Sequence, residues 1–264
     1  MLIMKEYQNL LFTVEDGIGT LTINRPKSLN ALNSDTLAEI GEALAEIKTD
    51  PTVKVLVITG SGQKAFVAGA DISQMVSMNS IEAAALSELA HNAFRTIESL
   101  PQITIAAVNG YCLGGGFELA NSCDIRVAAT SAKFGQPEVG LGIVPGFGGT
   151  QRLTRLVGRG KAKEIIATGS QITAKEAHAI GAVEEVVELD QLMDKVNEIA
   201  HKIMKNGPVA VRMAKYVIDQ GADLELNTAI SFETQMWAQT FATKDQTEGM
   251  QAFLEKRHAK FTGE

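Results

Sequence analysis

Two short apolar runs, each ending in a cluster of glycines, constrain most strongly how this chain can fold. Residues 53–59 (VKVLVIT) precede the glycine-rich segment 60–71, and Ile103–Val108 precedes a second glycine cluster at 110–116. Runs of this length that are rich in β-branched residues are typical of strands buried on both faces. Helical periodicity lies between them, at 81–100. Strands that alternate with helices predict an α/β architecture.

The two ends of the chain have patterns of their own. Residues 11–15 and Ile18–Ile23 flank Asp16 and Gly17, a strong two-residue turn signal that predicts a β-hairpin. A helix is expected to begin near Asn33. We predict a core domain over residues 1–195 and a C-terminal helical region over residues 196–264. One strand is predicted at 182–187, and the helices after it at 189–205, 208–219, 224–241 and 244–256.

Charge and cysteine content exclude several classes of protein. The 264 residues carry 31 acidic and 24 basic side chains, so the basic surface that nucleic-acid binding requires is not expected. No apolar stretch is long enough to predict a membrane span, and the N-terminus lacks the features of a signal peptide. Cys112 and Cys123 fit neither a disulfide framework nor a zinc site. We therefore expect a cytoplasmic protein that binds neither nucleic acid nor membranes.

The first glycine cluster matches a dinucleotide-binding pattern in its letters but not in its context. Residues 60–65 read G-x-G-x-x-A. That fingerprint requires a helix immediately after it, and residues 66–71 have no helical periodicity. We interpret the segment as a turn.

The second glycine cluster leaves two interpretations of Cys112 open. Residues 110–114 read G-x-C-x-G, a nucleophile elbow with Cys112 as the nucleophile. Such a nucleophile requires a histidine base, but His178, His201 and His258 are assigned to predicted helices without the loop context expected of a base. We favour a small buried thiol.

The glycines themselves predict a place for a negatively charged oxygen. Gly114, Gly115 and Gly116 lead directly into a helix, whose first N–H groups have no partner within the helix and carry partial positive charge. With the turn at 69–71, they can supply two N–H donors to one carbonyl oxygen. Purely structural glycine turns fit the residues equally well.

Two glutamates have apolar neighbours in the sequence. Glu118 follows Phe117 in the first turn of the short helix, and Glu138 lies in the charge-poor segment 134–145. Burial raises the pKa of a carboxyl group and suits it to proton transfer. Two such groups in one pocket would provide an acid and a base. A helix-capping role for Glu118 and a solvated position for Glu138 fit the residues equally well.

Four separated segments closely resemble the enoyl-CoA hydratase, or crotonase, family. They are KAFVAGADI (64–72), AAVNGYCLGGGFELANSCDI (106–125), FGQPEVGLGIVPGFGGTQRL (134–153) and EGMQAFLEKRHAKF (248–261), and INRPKSLNALNSDTL (23–37) fits too. The resemblance runs essentially end to end and is greatest to the short-chain members from bacteria. It implies a crotonase-like spiral of ββα units followed by a helical trimerisation region, with trimers pairing into homohexamers.

The resemblance also implies a reaction, reversible syn hydration of short trans-2-enoyl-CoA such as crotonyl-CoA, in fatty acid and butyrate metabolism. The thioester oxygen would be held by the N–H groups of Ala70 and Gly115, which match the family's oxyanion hole. Glu118 and Glu138 match its two catalytic glutamates. Glu118 would deprotonate the water, and Glu138 would deliver a proton to Cα. Coenzyme A is then part of the substrate, and neither a cofactor nor a metal is expected.

Several other residues are expected to bind substrate by resemblance alone. The coenzyme A moiety would contact Ala68, Asp71, Ile72, Ser73, Lys27 and Lys256, with Arg25 and Lys260 as further candidates. Each of these cations is also interpretable as a solvated charge. Met75, Val76 and Met78 are expected to pack rather than to line an acyl pocket. Gln151 and Arg152 are expected to cap the next helix rather than to bind an anion.

One alternative is a non-enzymatic scaffold that oligomerises through the helical tail without binding coenzyme A, and two enzymatic alternatives also remain open. One is another reaction of the same family on an acyl-CoA, such as isomerisation. The other is a thioesterase or hydrolase that uses Cys112.

Overall fold

The computed structural model describes residues 6–264, and their strands form two sheets. Residues 1–5 lie outside the described residues. They belong to the N-terminal segment whose sequence lacks the features of a signal peptide. The strands are β1 (Leu10–Glu15), β2 (Ile18–Ile23), β3 (Val55–Gly60), β4 (Ala65–Val67), β5 (Ile103–Val108), β6 (Tyr111–Leu113), β7 (Ile125–Ala129), β8 (Lys133–Gly135), β9 (Ile172–Thr173) and β10 (Glu185–Val187). The α-helices are α1 (Ser34–Ile47), α2 (Ile72–Met75), α3 (Ser80–Glu98), α4 (Gly115–Asn121), α5 (Gly149–Thr168), α6 (Ala174–Ala179), α7 (Leu192–Met204), α8 (Pro208–Gly221), α9 (Leu226–Thr240) and α10 (Lys244–Leu254).

The predicted local signals at the N-terminal end are confirmed. Asp16 and Gly17 both have positive φ, as a type I′ hairpin turn between β1 and β2 requires. The side chain of Asn33 accepts a hydrogen bond from the N–H of Thr36 at 2.9 Å and so begins α1. The apolar stripe of α1 is buried. Residues that are close in the sequence therefore determine where the hairpin turn lies and where α1 begins.

The chain alternates between the two sheets, and this alternation positions the site. The first sheet has the order β1-β2-β3-β5-β7-β10 and the second the order β4-β6-β8-β9. Thus β3, β5 and β7 are each followed by a short strand of the second sheet. Since β4, β6 and β8 are parallel, the segments that follow them leave the sheet at one edge.

Close backbone approach makes one glycine of the second cluster obligatory. A Cβ atom on Gly116 would lie 2.0 Å from the carbonyl oxygen of Val67 in β4. Only glycine allows α4 to cross the strand at this distance. Phe117, the next residue of α4, packs against Phe134 with ring centroids 5.2 Å apart, and both rings are fully buried.

The chain divides into two compact units. The core unit contains the described residues up to Leu100 together with Thr104–Asn197, and the helical unit contains Pro101–Ile103 with Glu198–Glu264. The boundary predicted from the sequence lies at residues 195/196. Within the helical unit, the buried Asp245 carboxylate accepts hydrogen bonds from the N–H groups of Thr262 and Gly263, which holds the C-terminal residues against α10.

Three sequence expectations differ from the structure. The glycine-rich segments read as turns contain β4 and β6, because strands of three residues are too short to show periodicity. The predicted strand at 182–187 is only Glu185–Val187. His258 lies beyond α10, which ends at Leu254. No helix within residues 6–264 is both long and apolar enough to span a membrane.

Candidate active site

A cavity of about 550 Å³ opens in the core unit where the segments after β4, β6 and β8 meet. The first segment contributes Ala68 and Ala70, the second Gly115 and Glu118, and the third Glu138. The rest of the wall is mainly apolar. It includes Met75, Met78, Leu86, Leu141, Ile143, Val144 and Phe147. Two carboxyl groups thus share a largely apolar space.

Glu118 is almost completely buried on α4, with 1% of its surface exposed. Its Oε1 accepts hydrogen bonds from the N–H groups of Phe147 and Gly149, at 2.8 and 2.7 Å. Burial, reinforced by Glu138, raises the pKa of Glu118 from its ordinary value of 4.5 to about 7. The two N–H donors and the positive charge of Arg152 oppose the rise. The carboxyl group is therefore poised to give or take a proton near neutral pH.

Glu138 lies in a 3₁₀ helix, Pro137–Leu141, and is half-buried. Burial raises its pKa above the ordinary value. The buried Gln136 side chain lies beside this carboxylate, and with its amide nitrogen turned toward Glu138 it can donate to both oxygens, at 3.0 and 3.1 Å. A Cβ atom on Gly114 would lie 2.6 Å from Glu138 Oε1, so the glycine leaves room for this carboxylate.

Ala70 and Gly115 lie close together in the wall of the cavity. The Ala70 nitrogen is 3.5 Å from the position that a Cβ on Gly115 would occupy. Leu32 pairs with the neighbouring peptide groups, donating to Gly69 O and accepting from Asp71 N, which turns the Ala70 N–H away from Leu32. Within residues 6–264, neither the Ala70 nor the Gly115 N–H has a hydrogen-bond acceptor. Two free donors are thus available to one oxygen.

Asp71 and Ser73 take part in local contacts and do not line the cavity. Asp71 begins α2 and accepts hydrogen bonds from the Ser73 hydroxyl at 2.6 Å and from Arg25 at 3.0 Å. These partners hold the pKa of Asp71 below its ordinary range. Arg25 also donates to the carbonyl of Ala31. Arg25 therefore braces the segment that carries the Ala70 N–H.

The remaining predicted substrate contacts fall into two groups. Ala68 and Ile72 line the cavity. Lys27 is exposed in the 3₁₀ helix Pro26–Ser28, and Lys256 is exposed in the helical unit. Contact between these residues and coenzyme A stays a prediction.

The sequence predicts that the methionines at and after the end of α2 pack in the interior. Met75 and Met78 do pack against the core, but both also line the cavity. Val76, by contrast, is 82% exposed. The apolar wall of the cavity is therefore partly built from flexible side chains.

Cys112 is a fully buried residue of β6 and does not line the cavity. Its Sγ contacts the carbonyl of Gly116 at 3.4 Å. Burial raises the pKa of this thiol well above its ordinary value, the opposite of what a nucleophilic thiolate needs. His178 is engaged with the carbonyl of Val183, with Nδ1 and O 3.0 Å apart. The small buried thiol is the interpretation that fits.

The expectation that Gln151 and Arg152 cap a helix is wrong. The N-cap of α5 is Gly148, with φ 107°, and both residues lie inside the helix. Arg152 reaches back instead to Glu98 on α3 and to the carbonyl of Phe147. The sequence carried no signal for these contacts, or for the N–H donors to Glu118, because they depend on how separate elements pack.

Comparison with known proteins places the chain in a family. A profile described as Enoyl-CoA hydratase/isomerase matches residues 13–264. A Short-chain-enoyl-CoA hydratase of Clostridium acetobutylicum is 52% identical over 96% of this chain and 97% of its own length. A Crotonyl-CoA hydratase of Syntrophomonas wolfei is 51% identical over 97% of this chain and 98% of its own length.

Solved structures agree with the sequence relatives. The crystal structure of an enoyl-CoA hydratase from Bacillus anthracis superposes with a TM-score of 0.94 at 43% identity, covering 97% of this chain and 100% of that one. The predicted crotonase-like α/β fold is confirmed. The chain belongs to the enoyl-CoA hydratase/isomerase family.

Proposed function

We propose that this chain catalyses the reversible hydration of short-chain trans-2-enoyl-CoA thioesters to 3-hydroxyacyl-CoA. The observation that carries the proposal is the placement of Glu118 and Glu138 at one cavity, beside the free N–H groups of Ala70 and Gly115. Relatives named Short-chain-enoyl-CoA hydratase and Crotonyl-CoA hydratase, matched over nearly their full length, support the short acyl chain.

The two N–H groups would act on the thioester carbonyl. Hydrogen bonds from Ala70 and Gly115 draw electron density toward the oxygen, which makes Cβ of a conjugated enoyl chain electrophilic. Addition of water places negative charge on that oxygen as an enolate, and preorganised donors stabilise the charge. The loss of one such donor typically costs about 3–4 kcal/mol of transition-state stabilisation.

The two carboxyl groups would manage the protons. Glu118, ionised, takes a proton from the water as its oxygen bonds to Cβ, and Glu138, protonated, gives a proton to Cα. After one turnover Glu118 is protonated and Glu138 is ionised, so proton exchange restores the starting state. Burial raises the pKa of both glutamates, that of Glu118 to about 7, which suits carboxyl groups to proton transfer.

The substrate class and the reaction type can be tested together. We propose product analysis on a panel of enoyl- and 3-hydroxyacyl-CoA esters of increasing chain length. Crotonyl-CoA should give 3-hydroxybutyryl-CoA, with turnover falling as the chain lengthens. A product in which the double bond has moved and no water has been incorporated would instead support the isomerase alternative.

Replacing Cys112 with Ser should leave hydration within about threefold of wild type, because the thiol is buried away from the cavity. A buried hydroxyl in place of the thiol is expected to cost about 1–2 kcal/mol of stability. Steady-state assays with crotonyl-CoA and urea unfolding measure the two effects. Loss of activity in a folded Cys112→Ser protein, with release of free coenzyme A by wild type, would support the thioesterase alternative instead.

The helical unit exposes large apolar side chains that a monomer would leave in water. On α9 these include Leu226, Ile230 and Trp237, which are 69%, 49% and 63% exposed. Phe253 and Leu254 at the end of α10 are 82% and 79% exposed. Exposed apolar surface of this kind marks an interaction site. We propose that this surface forms a homo-oligomer, a trimer or a dimer of trimers.

Light scattering coupled to size exclusion measures the proposed assembly. A subunit of 28.2 kDa should elute at three or six times that mass. Trp237→Glu should shift the protein toward monomer, because it places a charge in the apolar surface. A wild-type monomer at micromolar concentration contradicts the proposal.

The proposed reaction uses only carboxyl groups, backbone donors and water, with coenzyme A as part of the substrate, so no cofactor is invoked. Within residues 6–264, no three His, Cys, Asp or Glu side chains are grouped as metal ligands would be. We further propose a cytoplasmic location and a place in butyrate and fatty acid metabolism, consistent with the short-chain relatives.

A further inference from the structure

Arg152, which the proposed proton transfers do not use, joins α3 to the segment before α5. Its Nε and Nη2 donate to the two carboxylate oxygens of Glu98 at 2.5 and 2.9 Å. Its Nη1 donates to the carbonyl of Phe147 at 2.9 Å. The guanidinium also lies over the ring of Phe94, with Cζ 5.9 Å from the centroid. A planar fork held on three sides is a rigid support.

The carbonyl that Arg152 holds lies between the two N–H groups that hold Glu118. The N–H groups of Phe147 and Gly149 both donate to Glu118 Oε1. The Phe147 carbonyl belongs to the peptide group that separates these two donors. Fixing that carbonyl restricts rotation of both donors away from the carboxylate.

The same segment is fixed at a second point on α3. The Ser87 hydroxyl donates to the carbonyl of Gly146 at 2.6 Å. That carbonyl shares a peptide group with the Phe147 N–H, so the hydrogen bond fixes the plane of this donor. The first two peptide groups of the segment Gly146 to Gly149 are therefore both held, one by Ser87 of α3 and the other by Arg152, which is itself anchored to Glu98 of α3.

Gly148 leaves the space beside the Gly146–Gly149 segment that the Arg152 guanidinium occupies. It has φ 107°, and a Cβ atom there would lie 2.1 Å from Arg152 Nη1. A side chain at this position would displace the arginine. The glycine thus serves the approach of Arg152 as well as the turn into α5.

We propose that Arg152, held in place by Glu98, is a positioning residue that fixes the Gly146–Gly149 segment and thereby the Glu118 carboxylate for attack by water. The inference rests on the proposed hydratase function. Arg152 acts through Glu118 and touches no substrate atom. Its loss should therefore lower kcat with little change in KM.

A change in pH dependence separates positioning from a general loss of structure. The charge of Arg152 and the two N–H donors favour the ionised form of Glu118, and removing them raises the pKa of Glu118 further. The acidic limb of the plot of kcat against pH then moves to higher pH. The other titratable and charged groups around this pair are Glu138, Glu98, His91, Arg95 and the exposed Glu88. Burial and the nearby arginines lower the pKa of His91.

The test is the pH profile of crotonyl-CoA hydration for a small set of variants. Arg152→Gln should lower kcat at pH 7 by about 10- to 100-fold, shift the acidic limb upward and leave KM within about threefold. Arg152→Lys, which keeps the charge but loses the fork, should recover only part of kcat. Arg155→Gln, an exposed arginine one turn along α5, is the matched control and should keep the wild-type profile.

Glu98→Gln separates position from charge and serves if Arg152→Gln does not fold. Removing a negative charge alone would lower the pKa of Glu118, whereas loosening Arg152 would raise it. We expect the acidic limb to move upward, with Glu88→Gln on the same helix unchanged. A folded Arg152→Gln or Glu98→Gln protein with the Arg155→Gln profile overturns the positioning role alone. Failure of wild type to hydrate crotonyl-CoA overturns the proposed function, and the positioning role with it.

Discussion

Glu118→Gln is expected to lower kcat for crotonyl-CoA hydration by about 10³-fold or more, since a positioned general base typically contributes 10²–10⁴. The amide oxygen of Gln can still accept from the N–H groups of Phe147 and Gly149, so the fold and the cavity should persist. In wild type, kcat/KM should rise with pH through about 7, following the raised pKa of Glu118. That rise should be absent from the residual activity of the variant.

The stability of the same variant provides an independent check. The pKa of Glu118 is raised on folding, so the protonated form is favoured in the native state. Its contribution to stability is full below pH 4.5 and is lost as the pH rises through about 7. Glu118→Gln removes this loss and should stabilise the protein at pH 8, by at most about 3 kcal/mol. Urea unfolding at pH 5 and pH 8 measures the difference.

A Glu118→Gln protein that is more stable than wild type but inactive would confirm that the buried base lowers the stability of the fold at neutral pH. Glu88→Gln, on the exposed face of α3, is the matched control for a carboxyl-to-amide change. Activity of Glu118→Gln within about tenfold of wild type would contradict the role of Glu118 as base.

Glu138→Gln should also lower hydration by about 10²–10⁴-fold, because the proton for Cα would have no donor of matched pKa. The kcat/KM for dehydration of 3-hydroxybutyryl-CoA should fall by the same factor as the kcat/KM for hydration, because a catalyst cannot change the equilibrium constant. Gln136 can still contact the new side chain through its amide. Rates measured in both directions on one preparation test this equality.

Exchange of the Cα proton distinguishes the roles of the two glutamates. Butyryl-CoA has no double bond to hydrate, but its enolate would still be stabilised by the N–H groups of Ala70 and Gly115. In D₂O, wild type and Glu118→Gln should exchange the Cα proton, and Glu138→Gln should not. The reverse pattern would exchange the assignments of acid and base.

The sequence predicted those parts of the fold that depend on neighbours in the chain. The hairpin turn at Asp16 and Gly17, the cap of α1 at Asn33 and the buried strand β5 all follow from local turn, capping and periodicity rules. The second sheet did not follow, because β4, β6 and β8 have three residues each and are defined by pairing with distant strands.

The same distinction between features set by sequence neighbours and features set by distant contacts applies to the site. Glu118 and Glu138 were identified as candidate residues by their apolar surroundings, but the residues alone left a structural explanation equally good. Their shared cavity depends on strands β6 and β8 lying parallel and adjacent. The contacts of Gln136, Arg152 and the Phe147 N–H were not predicted, because a hydrogen bond between separate elements has no signature in sequence spacing.

The central claim is that two main-chain N–H groups and two carboxyl groups act on one thioester. A crystal structure with a bound, unreactive acyl-CoA tests it most directly. We expect the thioester oxygen at about 2.7–3.1 Å from the nitrogens of both Ala70 and Gly115, with Glu118 and Glu138 on the same face of the acyl chain. A thioester oxygen that contacts neither nitrogen, or an acyl chain with the two carboxyl groups on opposite faces, would contradict the account.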